Sequence, residues 1–114
     1  MRTRQMLALA VLFLGATASG TSAQTSTMSG NPRAGRAFAL QVCSLCHAVA
    51  PGQLTPPRFT TAPSFRSIAN LPSTTALSLQ VFLVSPHPSM PNLMLTDSEA
   101  ADVIAYILSL KRKP

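Results

Sequence analysis

The stretch Cys43-Ser44-Leu45-Cys46-His47 decides how this chain folds, and it holds both cysteines of the sequence. The two thiols lie one helical turn apart, and a histidine directly follows the second thiol. At this spacing each thiol can add to one vinyl group of a single porphyrin, and the imidazole can bind the iron. We therefore predict one covalently attached haem c, with Cys43 and Cys46 as its attachment points and His47 as an iron ligand.

Three other uses of these side chains fit the chain less well. A disulfide between Cys43 and Cys46 would close a very short loop, and such a loop gains little from closure. A thioredoxin-like redox pair belongs in a βαβ unit, and the sequence offers no convincing buried strand. A structural zinc site needs four ligands, and only His47 and His87 could join the two thiols. Haem attachment is the favoured interpretation.

The first 23 residues have the three parts of a secretory signal peptide. Arg2 and Arg4 make the positive end, residues 6–18 are almost wholly apolar, and small residues follow up to Ala23. An uncleaved membrane anchor is the alternative, but an apolar core of roughly 13 residues is shorter than the ~20 that a spanning helix needs. No cysteine lies near Ala23 to carry a lipid. We expect residues 1–23 to be removed, leaving a soluble periplasmic protein with no stable membrane insertion.

The mature chain should consist of a short leader and one domain. Residues 24–30 are polar or small and are expected to be flexible, whereas residues 31–114 form the domain. With 23 of the 114 residues removed, the chain can bury only a thin core. A haem inside the fold would add a large apolar body to that core.

The charge of the mature chain is modestly positive. Removal of Arg2 and Arg4 leaves seven basic residues against Asp97, Glu99 and Asp102, a formal net charge of +4. The basic residues are not gathered around aromatic ones, which argues against nucleic acid as the partner of an exported chain. A modest basic surface can instead steer an acidic redox partner. Solubility alone would explain the charge equally well.

Four stretches of the domain predict helices, so the predicted fold class is all-α. Asn31-Pro32 is typical of a helix start, and Thr96 with Glu99 three residues later forms a capping box. Ser73 is the predicted N-cap of the third helix. Prolines exclude regular structure over most of residues 50–63. The predicted helices cover about 32–45, 64–70, 74–84 and 97–110.

Apolar residues recur at helical spacing in the three longer helices. The residues that share a face are Gly35, Phe38, Ala39, Val42 and Cys46 in the first, Leu77, Val81 and Val84 in the third, and Val103, Tyr106, Ile107 and Leu110 in the last.

Four pieces of the sequence, in this order, resemble the small bacterial class I cytochromes c over nearly all of residues 31–111. They are Gly35 eight residues before the first thiol, the Cys43–His47 motif, Ala62-Pro63-Ser64-Phe65, and the run His87-Pro88-Ser89-Met90-Pro91-Asn92-Leu93 before the last helix. The resemblance implies a cytochrome c-like fold of three to four helices around one haem, with the first and last helices crossing near Gly35 and Tyr106.

The resemblance also implies the second axial ligand of the iron, which is Met90 of the Met-Pro pair. A neutral thioether opposite imidazole stabilises Fe(II), which suits an electron carrier. Met94 is the nearest rival. His87 is another, and ligation by two histidines would lower the reduction potential.

Two further contacts of the haem are implied less directly. Pro63 matches the family proline whose backbone carbonyl accepts the proton on the other nitrogen of the haem histidine, and such a contact orients the ring. An ordinary loop proline is the alternative. Arg58 and Arg66 flank this loop and could donate to the haem propionates, or could simply be solvated.

The function implied by the resemblance is that of a monohaem carrier of single electrons between redox partners, and not of an enzyme. An obligate cytochrome subunit of a larger dehydrogenase or oxidase complex needs the same domain, so the sequence does not separate the two. A haem enzyme or gas sensor would need a displaceable sixth ligand and a distal acid or base. His87 is the one candidate for that distal group.

Overall fold

Helices make up the regular structure of the chain in the computed structural model, which describes residues 29–53, 57–58, 61–86, 88 and 90–113. The predicted signal peptide, most of the leader and His87 lie outside these described residues. Within them there is no β-strand, and the all-α prediction is confirmed. The four α-helices are α1 (Pro32–Gln41), α2 (Phe65–Ala69), α3 (Ala76–Val84) and α4 (Asp97–Ser109), and a 3-10 turn spans Cys43–Leu45.

The first and last helices begin where their capping residues predict. The Asn31 side chain accepts hydrogen bonds from the backbone of Arg33 at 2.9 Å and Ala34 at 3.3 Å, and Pro32 opens the helix. At α4 the Thr96 N–H donates to Glu99 Oε2 over 2.8 Å, and the Glu99 N–H donates to Thr96 Oγ1 over 3.3 Å. The bond from the Thr96 backbone, with a further one from its hydroxyl, lowers the pKa of the Glu99 carboxyl. At a pH above the pKa that Glu99 has in the unfolded chain, its ionised carboxylate therefore stabilises the cap. This stabilisation is lost as the pH falls through the lower pKa of the folded state.

Two predicted helix boundaries are wrong by a few residues. Helix α3 is capped by Thr75 and not by Ser73, because Thr75 and Ser78 exchange backbone-to-side-chain bonds of 2.9 and 3.0 Å. Helix α1 ends at Gln41, short of the predicted residue 45. The Ser44 hydroxyl donates to the Leu40 carbonyl oxygen over 2.6 Å, and this local bond competes with continued helix.

Helices α1 and α4 approach each other backbone to backbone. A Cβ atom on Gly35 would overlap the carbonyl group of Asp102, and a Cβ on Gly30 would overlap that of Ala101. The Asn31 N–H also donates to the Asp102 carboxylate over 2.6 Å. The crossing that we predict near Gly35 and Tyr106 thus lies at Gly35 and Asp102, and Tyr106 lies about one turn further along α4.

The core is built on the inner face of α4, which contacts α1, α2 and α3. The predicted apolar face of α4 is confirmed, since Val103, Tyr106 and Ile107 are all buried and Leu110 packs against them. In α3 the buried residue is instead Leu79, which lies off the face formed by Leu77, Val81 and Val84. Each of those three is more than half exposed. None of the described helices is both long and apolar enough to cross a membrane.

The close crossing of α1 and α4 predicts that Gly35 tolerates no larger residue. Gly35→Leu should lower the free energy of unfolding by about 1–3 kcal/mol, because the side chain would force the two backbones apart. The matched control is Ala37→Leu on the exposed side of the same helix, expected to change stability by less than about 0.5 kcal/mol. Denaturant unfolding of the haem-loaded protein measures both. Equal stability of the two variants would show that the crossing is not tight.

Candidate haem site

One tight turn brings the three reactive side chains of the motif together. The carbonyl oxygen of Cys43 accepts from the Cys46 N–H at 3.1 Å and from the His47 N–H at 2.9 Å. This curls the chain back on itself directly after α1. Among the helices and turn that the structure describes, the backbone of the Cys43–Leu45 turn lies close to α1 alone. The Cys43 side chain packs against the core, whereas Leu45 on the same turn is 57% exposed.

The two thiols of the motif are half-buried, and no disulfide joins them. Burial, and secondarily the neighbouring Cys46, raises the pKa of the Cys43 thiol to about 11. Cys43 is therefore a neutral thiol at neutral pH. The described residues contain no cluster of three or more His, Cys, Asp or Glu side chains that could hold a metal ion.

The imidazole of His47 is oriented by Pro63. Its Nδ1 atom lies 2.6 Å from the Pro63 carbonyl oxygen. A carbonyl oxygen can only accept, so Nδ1 carries the proton and donates it. In the neutral ring the other nitrogen, Nε2, then carries a lone pair. This is the tautomer in which a histidine can ligate a metal through Nε2 while a backbone carbonyl fixes its ring.

The three residues 47–49 are held to the rest of the fold by further hydrogen bonds. The Phe65 N–H donates to the Ala48 carbonyl oxygen over 3.0 Å. The Tyr106 hydroxyl donates to the Val49 carbonyl oxygen over 2.7 Å, and the Val49 N–H donates to the Gln53 side chain over 2.9 Å. The backbone that follows the second thiol is therefore tied to the 63–65 segment and to α4.

The bond from Tyr106 is a contact that the sequence interpretation missed, because we considered this residue only as part of the apolar face of the last helix and of the helix crossing. Tyr106 is 4% exposed, and a buried tyrosine hydroxyl needs a partner. That rule signals a hydrogen bond but does not identify the acceptor. The ring of Phe65 contacts the rings of both His47 and Tyr106. Its centroid is 5.6 Å from that of His47 and 6.3 Å from that of Tyr106.

The candidate second ligand lies on the segment between α3 and α4. Met90 is half-buried there, whereas Met94 is 81% exposed and has a φ of 48°, in the left-handed region. No hydrogen bond joins Met90 to the motif within the described part of the chain. His87 lies outside the described residues.

The residues present fit a large apolar group with an iron that prefers nitrogen and sulfur ligands. Residues 67–96 contain no Asp, Glu, Lys or Arg. Within this span α3 leaves apolar side chains exposed, with Leu77 at 73%. His47 offers an oriented imidazole nitrogen, and a methionine thioether such as that of Met90 would complete a donor pair that suits haem iron.

The two arginines near the Pro63 loop are both exposed, and they lie in different settings. The backbone N–H of Arg58 donates to the Leu45 carbonyl oxygen over 3.0 Å, which places Arg58 beside the motif turn. Arg66 lies in the first turn of α2.

Comparison with known proteins agrees with these features. The family model of cytochrome c matches residues 32–111. The chain is also similar to cytochrome c-552 of Bradyrhizobium diazoefficiens, with 38% identity over 90 residues, 79% of this chain and 85% of the relative. No solved structure matches the chain.

The geometry of the motif turn predicts two independent attachments of one haem. Cys43→Ala or Cys46→Ala should leave a single thioether, and the double variant should abolish covalent attachment. Haem staining of denatured protein on a gel and the intact mass of the polypeptide measure this. Ser44→Ala, which changes the same turn without removing a thiol, is the control and should keep both bonds. Loss of colour from the wild-type protein in acid-acetone would contradict the assignment.

Proposed function

The chain belongs to the cytochrome c family, and we propose that it is a periplasmic monohaem carrier whose iron is ligated by His47 and Met90. As a member of that family it binds haem c covalently and transfers electrons. The proposal rests chiefly on the 2.6 Å contact between His47 Nδ1 and the Pro63 carbonyl oxygen. This contact leaves the Nε2 lone pair of His47 free to bind an iron, and the two thiols next to His47 have the spacing needed to attach a haem.

Each residue of the site has a distinct part in this proposal. Bound haem supplies a reversible Fe(III)/Fe(II) couple. Cys43 and Cys46 tether it at one edge, so it cannot dissociate when its charge changes. His47 donates an imidazole nitrogen, and the Pro63 carbonyl raises the basicity of that ring through the Nδ1 proton. Met90 donates a neutral sulfur that favours Fe(II) and so raises the potential.

The choice of Met90 over Met94 is supported by burial and backbone conformation. A ligand must face the interior of the fold, and Met90 is half-buried while Met94 is 81% exposed. The left-handed φ of 48° at Met94 turns the chain at that point. Pro88 and Pro91 flank Met90 closely and restrict its backbone. If His47 and Met90 both held the iron, no position would stay open for a substrate, which would favour electron transfer over catalysis.

The periplasmic location is supported by the sequence before the domain. Residues 1–23 carry the features of a signal peptide, with a positive end at Arg2 and Arg4, an apolar stretch over residues 6–18 and small residues up to Ala23.

An acidic redox partner is supported by the distribution of charge. The mature chain has carboxylates only in α4, where Glu99 caps the helix and Asp102 accepts from the Asn31 N–H. The backbone of the Cys43–Leu45 turn lies away from α4, and exposed Arg58 is bonded through its backbone to that turn. We expect the surface around the attachment site to be positive, and such a surface would steer an acidic partner toward the haem.

The proposed ligand pair predicts the spectrum of the protein. The oxidised protein should be low spin with a weak sulfur-to-iron band near about 700 nm. Met90→Ala should remove that band, lower the potential and admit carbon monoxide or cyanide to the iron. Met94→Ala and His87→Ala are the matched controls and should keep the band. If the reduced wild-type protein already binds carbon monoxide quickly and fully, the sixth position is open and an enzyme or sensor takes the place of the carrier.

The positive surface around the turn predicts a site-specific charge effect on electron transfer. Arg58→Glu should slow oxidation of the reduced protein by ferricyanide about threefold or more at low ionic strength, and high salt should abolish the difference. The same variant should speed oxidation by the cationic tris(phenanthroline)cobalt(III). Lys113→Glu changes the net charge equally, beyond the C-terminal end of α4, and should have a smaller effect. Stopped-flow mixing measures these rates, and equal effects of the two variants would contradict a local docking surface.

A further inference from the structure

The hydrogen bond between Tyr106 and Val49 connects α4 to the residues that follow the motif. Val49 is 1% exposed and Tyr106 is 4% exposed, so water cannot replace either partner without opening the core. The Tyr106 hydroxyl donates to the Val49 carbonyl oxygen over 2.7 Å. Loss of the Tyr106 hydroxyl would leave the buried Val49 carbonyl without a hydrogen-bond donor. This costs more free energy than replacing one donor by another.

The acceptor of this bond, Val49, follows His47 by two residues, and other hydrogen bonds hold the short backbone segment between them. Next to it, the Ala48 carbonyl oxygen is held at 3.0 Å by the Phe65 N–H. His47 itself donates from Nδ1 to Pro63 over 2.6 Å. Segments 47–49 and 63–65 therefore form one unit, and Tyr106 ties that unit to α4.

We propose that Tyr106 is a positioning residue for His47, which tunes the reduction potential by fixing the 47–49 backbone and hence the His47–Pro63 hydrogen bond. The inference rests on the proposed role of His47 as the iron ligand. A short Nδ1–H···O bond puts negative charge on the imidazole and makes it a stronger donor, which favours Fe(III). Loosening the 47–49 backbone weakens that bond, so the potential rises.

The test replaces Tyr106 with Phe in the haem-loaded protein, which removes one oxygen and keeps the ring. We expect the Nδ1 proton of His47, followed by NMR in the reduced protein, to exchange with solvent about fivefold faster. We also expect the Fe(II)/Fe(III) ratio at a fixed applied potential to rise on the order of twofold, measured by spectroelectrochemical titration.

The matched control is Val103→Ala, which truncates a fully buried side chain of the same helix and keeps the Tyr106 hydroxyl that bonds the Val49 carbonyl oxygen. It should destabilise the protein and leave the proton exchange and the potential unchanged. Equal shifts in both variants, or no shift in Tyr106→Phe, would overturn the inference and leave Tyr106 a packing residue.

A second perturbation decides the matter if Tyr106→Phe does not fold. Tyr106 is the sole tyrosine of the chain, so growth with 3-fluorotyrosine labels that position alone. At about pH 6 the fluorinated hydroxyl keeps its proton and is a stronger donor. Exchange of the His47 proton should then slow and the potential should fall. If the wild-type protein shows no low-spin spectrum and no His47 Nδ1 signal, the proposed function fails instead, and the two failures are thereby distinguished.

Discussion

The backbone contact between α1 and α4 at Gly35 and Asp102 is the constraint on which the rest of the structure depends. Because no side chain separates the two helices there, their axes come close enough for Asn31 to bond the Asp102 carboxylate. The contact fixes the position of α1 relative to α4, and with it the position of the motif turn that follows α1. Tyr106, about one turn beyond the crossing, can then reach the backbone of Val49.

Hydrogen bonds, rather than regular structure, hold the chain between the motif and α2. The residues described between Cys46 and Phe65 form no helix or strand, yet none of their buried side-chain nitrogen or oxygen atoms lacks a hydrogen-bond partner. Pro63, Phe65 and Tyr106 each satisfy one group of residues 47–49. A small domain with a thin core gains from such bonds because each one orders a loop that apolar burial alone would leave free. In this protein the same bonds orient the side chain at the centre of the site.

Charge and apolar surface are separated in this molecule. The Asp and Glu residues of the sequence are all in α4, whereas residues 67–96 carry no Asp, Glu, Lys or Arg. The uncharged span includes α3, whose Leu77, Val81 and Val84 are exposed. A periodic apolar pattern shows that residues share a face of a helix, but it does not show whether that face is turned inward. In α3 the neighbours of Leu79 settle this, and they come from other parts of the chain.

Local chemistry was enough to predict much of the fold and the motif. Asn31-Pro32 and the pair Thr96 and Glu99 mark helix starts because capping involves residues within one turn of each other. The spacing of Cys43, Cys46 and His47 likewise indicates haem attachment without reference to the rest of the chain. The same rule predicted the wrong cap for α3, where two candidate residues lie two positions apart. Thr75 is the N-cap, and Ser73 is not, because the side chains of Thr75 and Ser78 each accept from the backbone N–H of the other.

Long-range contacts decided what remained. The crossing partner of Gly35, the buried face of α3 and the acceptor of the Tyr106 hydroxyl all depend on residues far away in sequence. Tyr106 and Val49 are 57 positions apart, and no periodicity or spacing connects them. Only the packing of α4 against the motif segment brings the hydroxyl to that carbonyl, because a hydrogen bond needs its two atoms within about 3 Å and the sequence specifies neither position in space.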